Sequence, residues 1–127
     1  MRRLLVVTVL LASCGGTDVP PPTPGELAIH LTTPAGAAAG AIVLTISGGV
    51  VGSVVPAGGL EDAMTIDASG THLLLLGAAN TGEIAVLRIP DRALSSRYVV
   101  RVEQVADGST FALLDAAQWG ATLVIRP

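Results

Sequence analysis

The sequence predicts an all-β protein, an antiparallel β-sandwich of about seven to nine short strands. Three observations carry that expectation. From Gly25 onward, apolar and polar residues alternate with the period of a half-buried strand. The alternating runs are separated by Gly, Pro, Asn and Asp in turn-forming combinations. Half of the residues are hydrophobic but only 2% are aromatic, so the core has to be built from Val, Leu, Ile and Ala.

Taken in order, Leu27, Ile29 and Leu31 alternate with Ala28, His30 and Thr32. Ala35–Ala41 is alanine-rich, but Pro34 precedes it and Gly36 and Gly40 interrupt it, which predicts a loop rather than a helix. Ile42, Leu44 and Ile46 then alternate with Val43, Thr45 and Ser47. Further strands are expected at Val50–Val55, Ala63–Asp67, Thr71–Leu76, Glu83–Ile89, Tyr98–Val105 and Thr122–Arg126, with a short piece at Phe111–Leu114. Turn chemistry separates them at Gly48-Gly49, Pro56–Gly59, Ser69-Gly70, Asn80–Gly82, Pro90-Asp91 and Asp107-Gly108. Asp115–Trp119 has room for one helical turn, and Trp119 is expected in the core or at an edge beside the last strand.

The N-terminus is of another kind. Arg2 and Arg3 precede an apolar stretch, Leu4–Leu11, which ends in Ala12-Ser13-Cys14. That order reads as a secretory signal. The apolar stretch is far shorter than the roughly 20 residues of a membrane-spanning helix. Leu11-Ala12-Ser13-Cys14 resembles the lipobox of bacterial lipoproteins. The resemblance implies cleavage of residues 1–13 and attachment of acyl chains such as palmitate to Cys14. One chain anchors only marginally, and two or three hold a protein permanently. Gly15 stands where the Gram-negative sorting pattern places Asp to retain a lipoprotein in the inner membrane. Its presence favours the outer membrane in a host that has one.

Residues 14–24 form the expected tether. Four of the five residues from Pro20 to Pro24 are proline, a composition that favours extended polyproline II over helix or strand. Ten such residues reach about 30 Å. Residues 25–127 are one domain's worth of chain. The mature chain carries five arginines, no lysine and ten acidic residues, a net charge of −5. That balance argues against nucleic acid, whose phosphates need clustered basic residues. Cys14 is the single cysteine, so its lipidation leaves no thiol for a disulfide or a metal.

Catalytic and metal-binding chemistry is not expected. No Gly-x-Ser-x-Gly elbow surrounds any serine. His30 and His72 both fall in predicted strands, forty-two residues apart, which is not the close pairing of a zinc site. Glu61, Asp62 and Asp67 lack the alternate-position pattern of a calcium loop. The glycines at 48, 49, 52, 58 and 59 are not followed by Gly-Lys-Ser/Thr and fit bends in a β-protein. Three aromatic residues make a poor platform for stacking on sugars. No cofactor is implied. One polar patch stands out: Val99, Arg101, Glu103 and Val105 share a strand face opposite Tyr98, Val100 and Val102, placing Arg101 beside Glu103. Arg88 in the preceding strand is expected to join them; a surface ion pair on a solvated sheet is the plain reading, and a partner-binding surface of Arg88, Arg101 and Glu103 the sharper alternative.

Thr33-Pro34 with Gly40–Gly48, Leu87–Asp91, and Tyr98–Ala106 together resemble a group of short lipoproteins of GC-rich bacteria such as Gemmatimonadota. The shared motifs are structural and carry over no activity. More distantly, the strand order is similar to cohesin-like and immunoglobulin-like sandwiches. The expectation is a lipid-anchored envelope protein whose β-sandwich binds a protein partner or serves a structural role. A glycan- or small-molecule-binding module and a small hydrolase are the alternatives.

Overall fold

The computed structural model describes residues 20–127. The predicted signal peptide, Cys14 and the first part of the tether lie outside the described residues. The chain forms β1 (Gly25–Thr32), β2 (Ala39–Ser47), β3 (Ser53–Pro56), β4 (Glu61–Asp67) and β5 (Gly70–Ala79). It continues through β6 (Gly82–Ile89), β7 (Val99–Asp107), β8 (Leu113–Leu114) and β9 (Gly120–Ile125). Two 3₁₀ segments interrupt the strands, η1 (Arg92–Arg97) and η2 (Ala116–Gln118).

The strands make two antiparallel sheets, in the order β3-β6-β1-β9 and β4-β5-β2-β7-β8. This is the all-β sandwich the alternation predicts. β2 pairs with β5 in one sheet and β3 with β6 in the other. The immunoglobulin sandwich joins its B to E and its C to F in the same way. The first and seventh strands depart from that order: the immunoglobulin sandwich sets A beside B and G beside F, whereas here β1 lies beside β6 and β7 beside β2.

The inner faces supply one core. Leu27, Ile29 and Leu31 from β1 meet Ile42, Leu44 and Ile46 from β2, Leu73 and Leu75 from β5, Leu87 from β6 and Val105 from β7, all fully buried. Leu, Ile and Val at every second position supply most of the burial, at roughly 25 cal/mol per Å². Trp119 and Tyr98 are buried, and the Tyr98 hydroxyl donates to the Val50 carbonyl at 2.6 Å. Tyr98 thereby ties the β2–β3 crossing to the start of β7.

Local departures from the expected elements have physical causes. β2 begins at Ala39, inside the stretch expected to be a loop. Ala39 pairs with both Ala79 and Asp107 and is fully buried. Small residues are required here, because a Cβ on Gly40 would lie 2.8 Å from the Gly108 Cα. β3 begins at Ser53 rather than Val50, because Gly48–Val50 form the crossing between sheets. In β7, the pairing with β2 passes from Leu44↔Val102 to Val43↔Gln104, leaving Glu103 as an extra residue in a bulge. The bulge shifts the alternation by one, so Val105 faces the core instead of sharing a face with Arg101 and Glu103. η1 was not expected from the strand pattern. Asp91 caps it, accepting from the Ala93 N–H at 3.0 Å.

Among the described residues, no helix is long and apolar enough to cross a membrane.

Candidate functional site

The outer face of the five-stranded sheet carries an open groove of about 620 Å³. Its floor is Val43, Thr45 and Ser47 of β2, with His72 and Ser69 on one side and Val99, Arg101, Glu103 and Gln104 on the other. Strand register puts these side chains together. Thr45 pairs with His72 on one flank and with Arg101 on the other, and His72 pairs with Thr65. Thr65, His72, Thr45 and Arg101 therefore form one row across four strands.

The β4–β5 hairpin builds one wall. Asp67 pairs with Gly70 around the two-residue loop Ala68-Ser69. The Asp67 carboxylate accepts from the Ser69 N–H at 2.8 Å and from the Ser69 hydroxyl at 2.6 Å, an Asx-type turn. Those two bonds, the hydroxyl's first, hold the Asp67 carboxyl below its ordinary range, and His72 adds to the effect. His72 Nε2 lies 2.9 Å from Asp67 Oδ2 and 3.0 Å from Ser69 Oγ, while its Nδ1 lies 3.1 Å from Thr45 Oγ1.

The protons available on Ser69 and His72 fix which atoms donate. Ser69 has one hydroxyl proton, and it donates that hydrogen bond to Asp67. Ser69 Oγ must then accept from Nε2–H, which it shares with Asp67. Opposite, Arg101 Nε and Nη2 donate to Glu103 Oε1 at 2.9 and 2.6 Å. That contact holds the Glu103 carboxyl below its ordinary range, helped by the Thr45 hydroxyl and by the charges of Arg101 and His72. The Thr45 hydroxyl thus stands between the imidazole and the Glu103 carboxylate. Asp67, His72 and Thr45 form one hydrogen-bonded chain, and the Arg101–Glu103 pair lies across Thr45 from it.

A nucleophilic relay needs a different arrangement. There the acid meets one ring nitrogen and the serine the other, and the serine gives its proton to the imidazole. Here Ser69 and Asp67 share Nε2, and the serine hydroxyl donates its hydrogen bond to the carboxylate instead of to the imidazole. The groove instead offers fixed donors and acceptors of both charges beside the exposed Val99, which suits binding of a complementary surface.

Arg101 and Glu103 stand side by side as their spacing predicts. Arg88 does not join them. β6 belongs to the other sheet, and there Arg88 lies 3.7 Å from Glu26, on the far side of the core. His30 also lies in that sheet, paired in register with Glu83 and Thr122. Glu61 and Asp62 sit at the opposite end of β4 from Asp67. Cys14 is outside the described residues. The sequence reading missed Asp67, Ser69 and His72 as a unit. A signal for it was present: a two-residue turn at Ala68-Ser69 makes Asp67 and His72 diagonal neighbours on one sheet face.

Comparison with family models, with curated proteins and with solved structures finds no match to this chain.

Proposed function

We propose that this chain is a lipid-anchored protein of the bacterial cell envelope, cleaved before Cys14 and held by acyl chains on that residue. In this reading the β-sandwich is a protein-binding or structural module rather than an enzyme, and its docking face is the outer face of the five-stranded sheet. Gly15 favours the outer membrane where a host has two. The observation that best supports the docking face is the Arg101–Glu103 ion pair set opposite the Asp67–His72 hydrogen bond within one groove. Complementary charge patterns of this kind select partners and fix their register more than they add affinity. A second reading, a glycan or small polar ligand, draws on the concavity and on Thr45, Ser47 and Gln104 along its floor and side.

Photocrosslinking in intact cells tests the proposal. A photoreactive residue replaces Val99 on the groove rim, or Val124 in β9 as the control. The expected result is one recurrent protein adduct from position 99 and none from position 124. Arg101→Glu should reduce that adduct at least about tenfold, the cost of placing like charges together at an interface. Equal adducts from both positions, or none from position 99, contradict the docking face. Adducts that carry sugar in place of peptide favour the second reading.

A further inference from the structure

The domain's charge is segregated along its length, a pattern that the linear sequence hides. β1 starts at the tether side, so the end of the sandwich that receives the tether also holds the ends of β2, β4 and β6 and the starts of β5 and β7. All five arginines of the described residues lie there. Arg88 is next to last in β6, Arg92 and Arg97 bound η1, Arg101 is the third residue of β7, and Arg126 follows β9. Glu61, Asp62, Glu83, Asp107 and Asp115 lie toward the opposite end.

We propose that the tether-side end, centred on η1 and Val50, docks on an anionic phospholipid surface. The proposal rests on the lipid-anchor reading and goes beyond it by assigning the domain an orientation. Arg92 and Arg97 are exposed and make no ion pair among the described residues. Between them Leu94 is partly exposed, and beside them Val50 is 66% exposed. Val50 belongs to the same surface, because the Tyr98 hydroxyl holds its carbonyl and Gly48 packs on the Arg97 carbonyl. Cationic groups flanking exposed apolar side chains match a headgroup layer over acyl chains.

The tether leads to this end and no other. Thr23 accepts from the Arg92 N–H at 2.7 Å, and Gly25 packs on the Arg92 side chain. A tether reaching about 30 Å keeps this surface within range of the headgroups. The carboxylates on this end are already engaged. Glu26 lies between Arg88 and Arg126, at 3.7 Å from each, Asp91 caps η1, and Asp67 holds Ser69 and His72. The acidic end is about 26 Å away along an eight-residue strand. A Debye length of about 8 Å screens its repulsion. Docked this way, the domain turns its acidic loops outward and leaves the groove facing sideways.

The test uses the mature lipidated protein in vesicles of phosphatidylcholine with or without phosphatidylglycerol. Leu94→Cys carries an environment-sensitive fluorophore, and Leu113→Cys at the other end is the control. The expected result is a blue shift at position 94 on phosphatidylglycerol vesicles only. High salt should reverse it, and Arg92→Glu with Arg97→Glu should abolish it at unchanged melting temperature. No shift is expected at position 113. A label at 94 that stays in water on both vesicles, or a shift at 113 instead, overturns the docking. A label that shifts only in whole envelope membranes assigns this end to a protein and overturns it too. Flotation with phosphatidylcholine vesicles reads the anchor separately. A protein that does not float refutes the anchor and the docking with it, and one that floats with an unchanged label refutes the docking alone.

Discussion

Asp107 is the most heavily bonded carboxylate among the described residues. Its Oδ2 accepts from the N–H and the hydroxyl of both Ser109 and Thr110, at 2.7 to 3.1 Å. These bonds, the Ser109 hydroxyl's first, hold its carboxyl well below the usual carboxylate range. They close the turn that sets Phe111 at φ 57, a left-handed conformation that is unusual for a bulky residue. Asp67 is depressed in the same direction by the Ser69 hydroxyl and N–H. Both carboxyls bind protons less readily folded than unfolded. Their contribution is therefore complete above the unfolded value near 3.9 and is lost as pH falls through the lower folded values. The expected outcome is a melting temperature that drops steeply below about pH 4. Asp107→Asn should lower the melting temperature at pH 7 and flatten that acid limb. Thermal melts followed by circular dichroism across pH 7 to 2 check this, and an unchanged acid limb contradicts it.

At the scale of elements, the crossings between sheets are the demanding parts. Gly48 sits at φ 97 where β2 leaves its sheet, and a Cβ there would lie 1.8 Å from the Arg97 carbonyl oxygen. Neither the dihedral nor the contact tolerates a side chain. Gly58, in the β3–β4 turn, has open space around it and no left-handed dihedral. Gly48→Ala is expected to cost about 2 kcal/mol or more, whereas Gly58→Ala stays within about 0.5 kcal/mol. Urea denaturation of the two variants measures the difference, and equal midpoints contradict the account. The strands themselves were legible in the sequence, because period-two alternation has one physical cause, a sheet with a single buried face. Pairs of small residues such as Ala39-Gly40 carry no such pattern, so the true start of β2 was hidden. The bulge at Glu103 depends on the partner strand and leaves no local mark. η1 did leave one, Asp91 two residues before Ala93, but a cap followed by a single polar turn does not stand out.

At the scale of the whole molecule, what the sequence could not reveal is what the strand order creates. The neighbouring of His72, Thr45 and Arg101 requires β5-β2-β7, and nothing in any one strand specifies that order. Arg88 and Arg101 are thirteen residues apart yet lie in different sheets, because the chain crosses through η1 between them. The same crossings gather the arginines at one end. The N-terminal segment is read from sequence alone, yet it gives the arrangement its meaning. A basic end at the root of the tether and a groove turned sideways form a working geometry only on a chain anchored at Cys14.

The intact mass of the protein purified from the membrane fraction of the cells that make it tests that claim most directly. The account predicts a chain beginning at Cys14, heavier than residues 14–127 by a diacylglyceryl group and, in hosts that add it, a third acyl chain. The added mass should disappear with Cys14→Ala. A chain that retains residues 1–13, or one cleaved with a bare thiol at Cys14, would contradict the anchor and the orientation built on it.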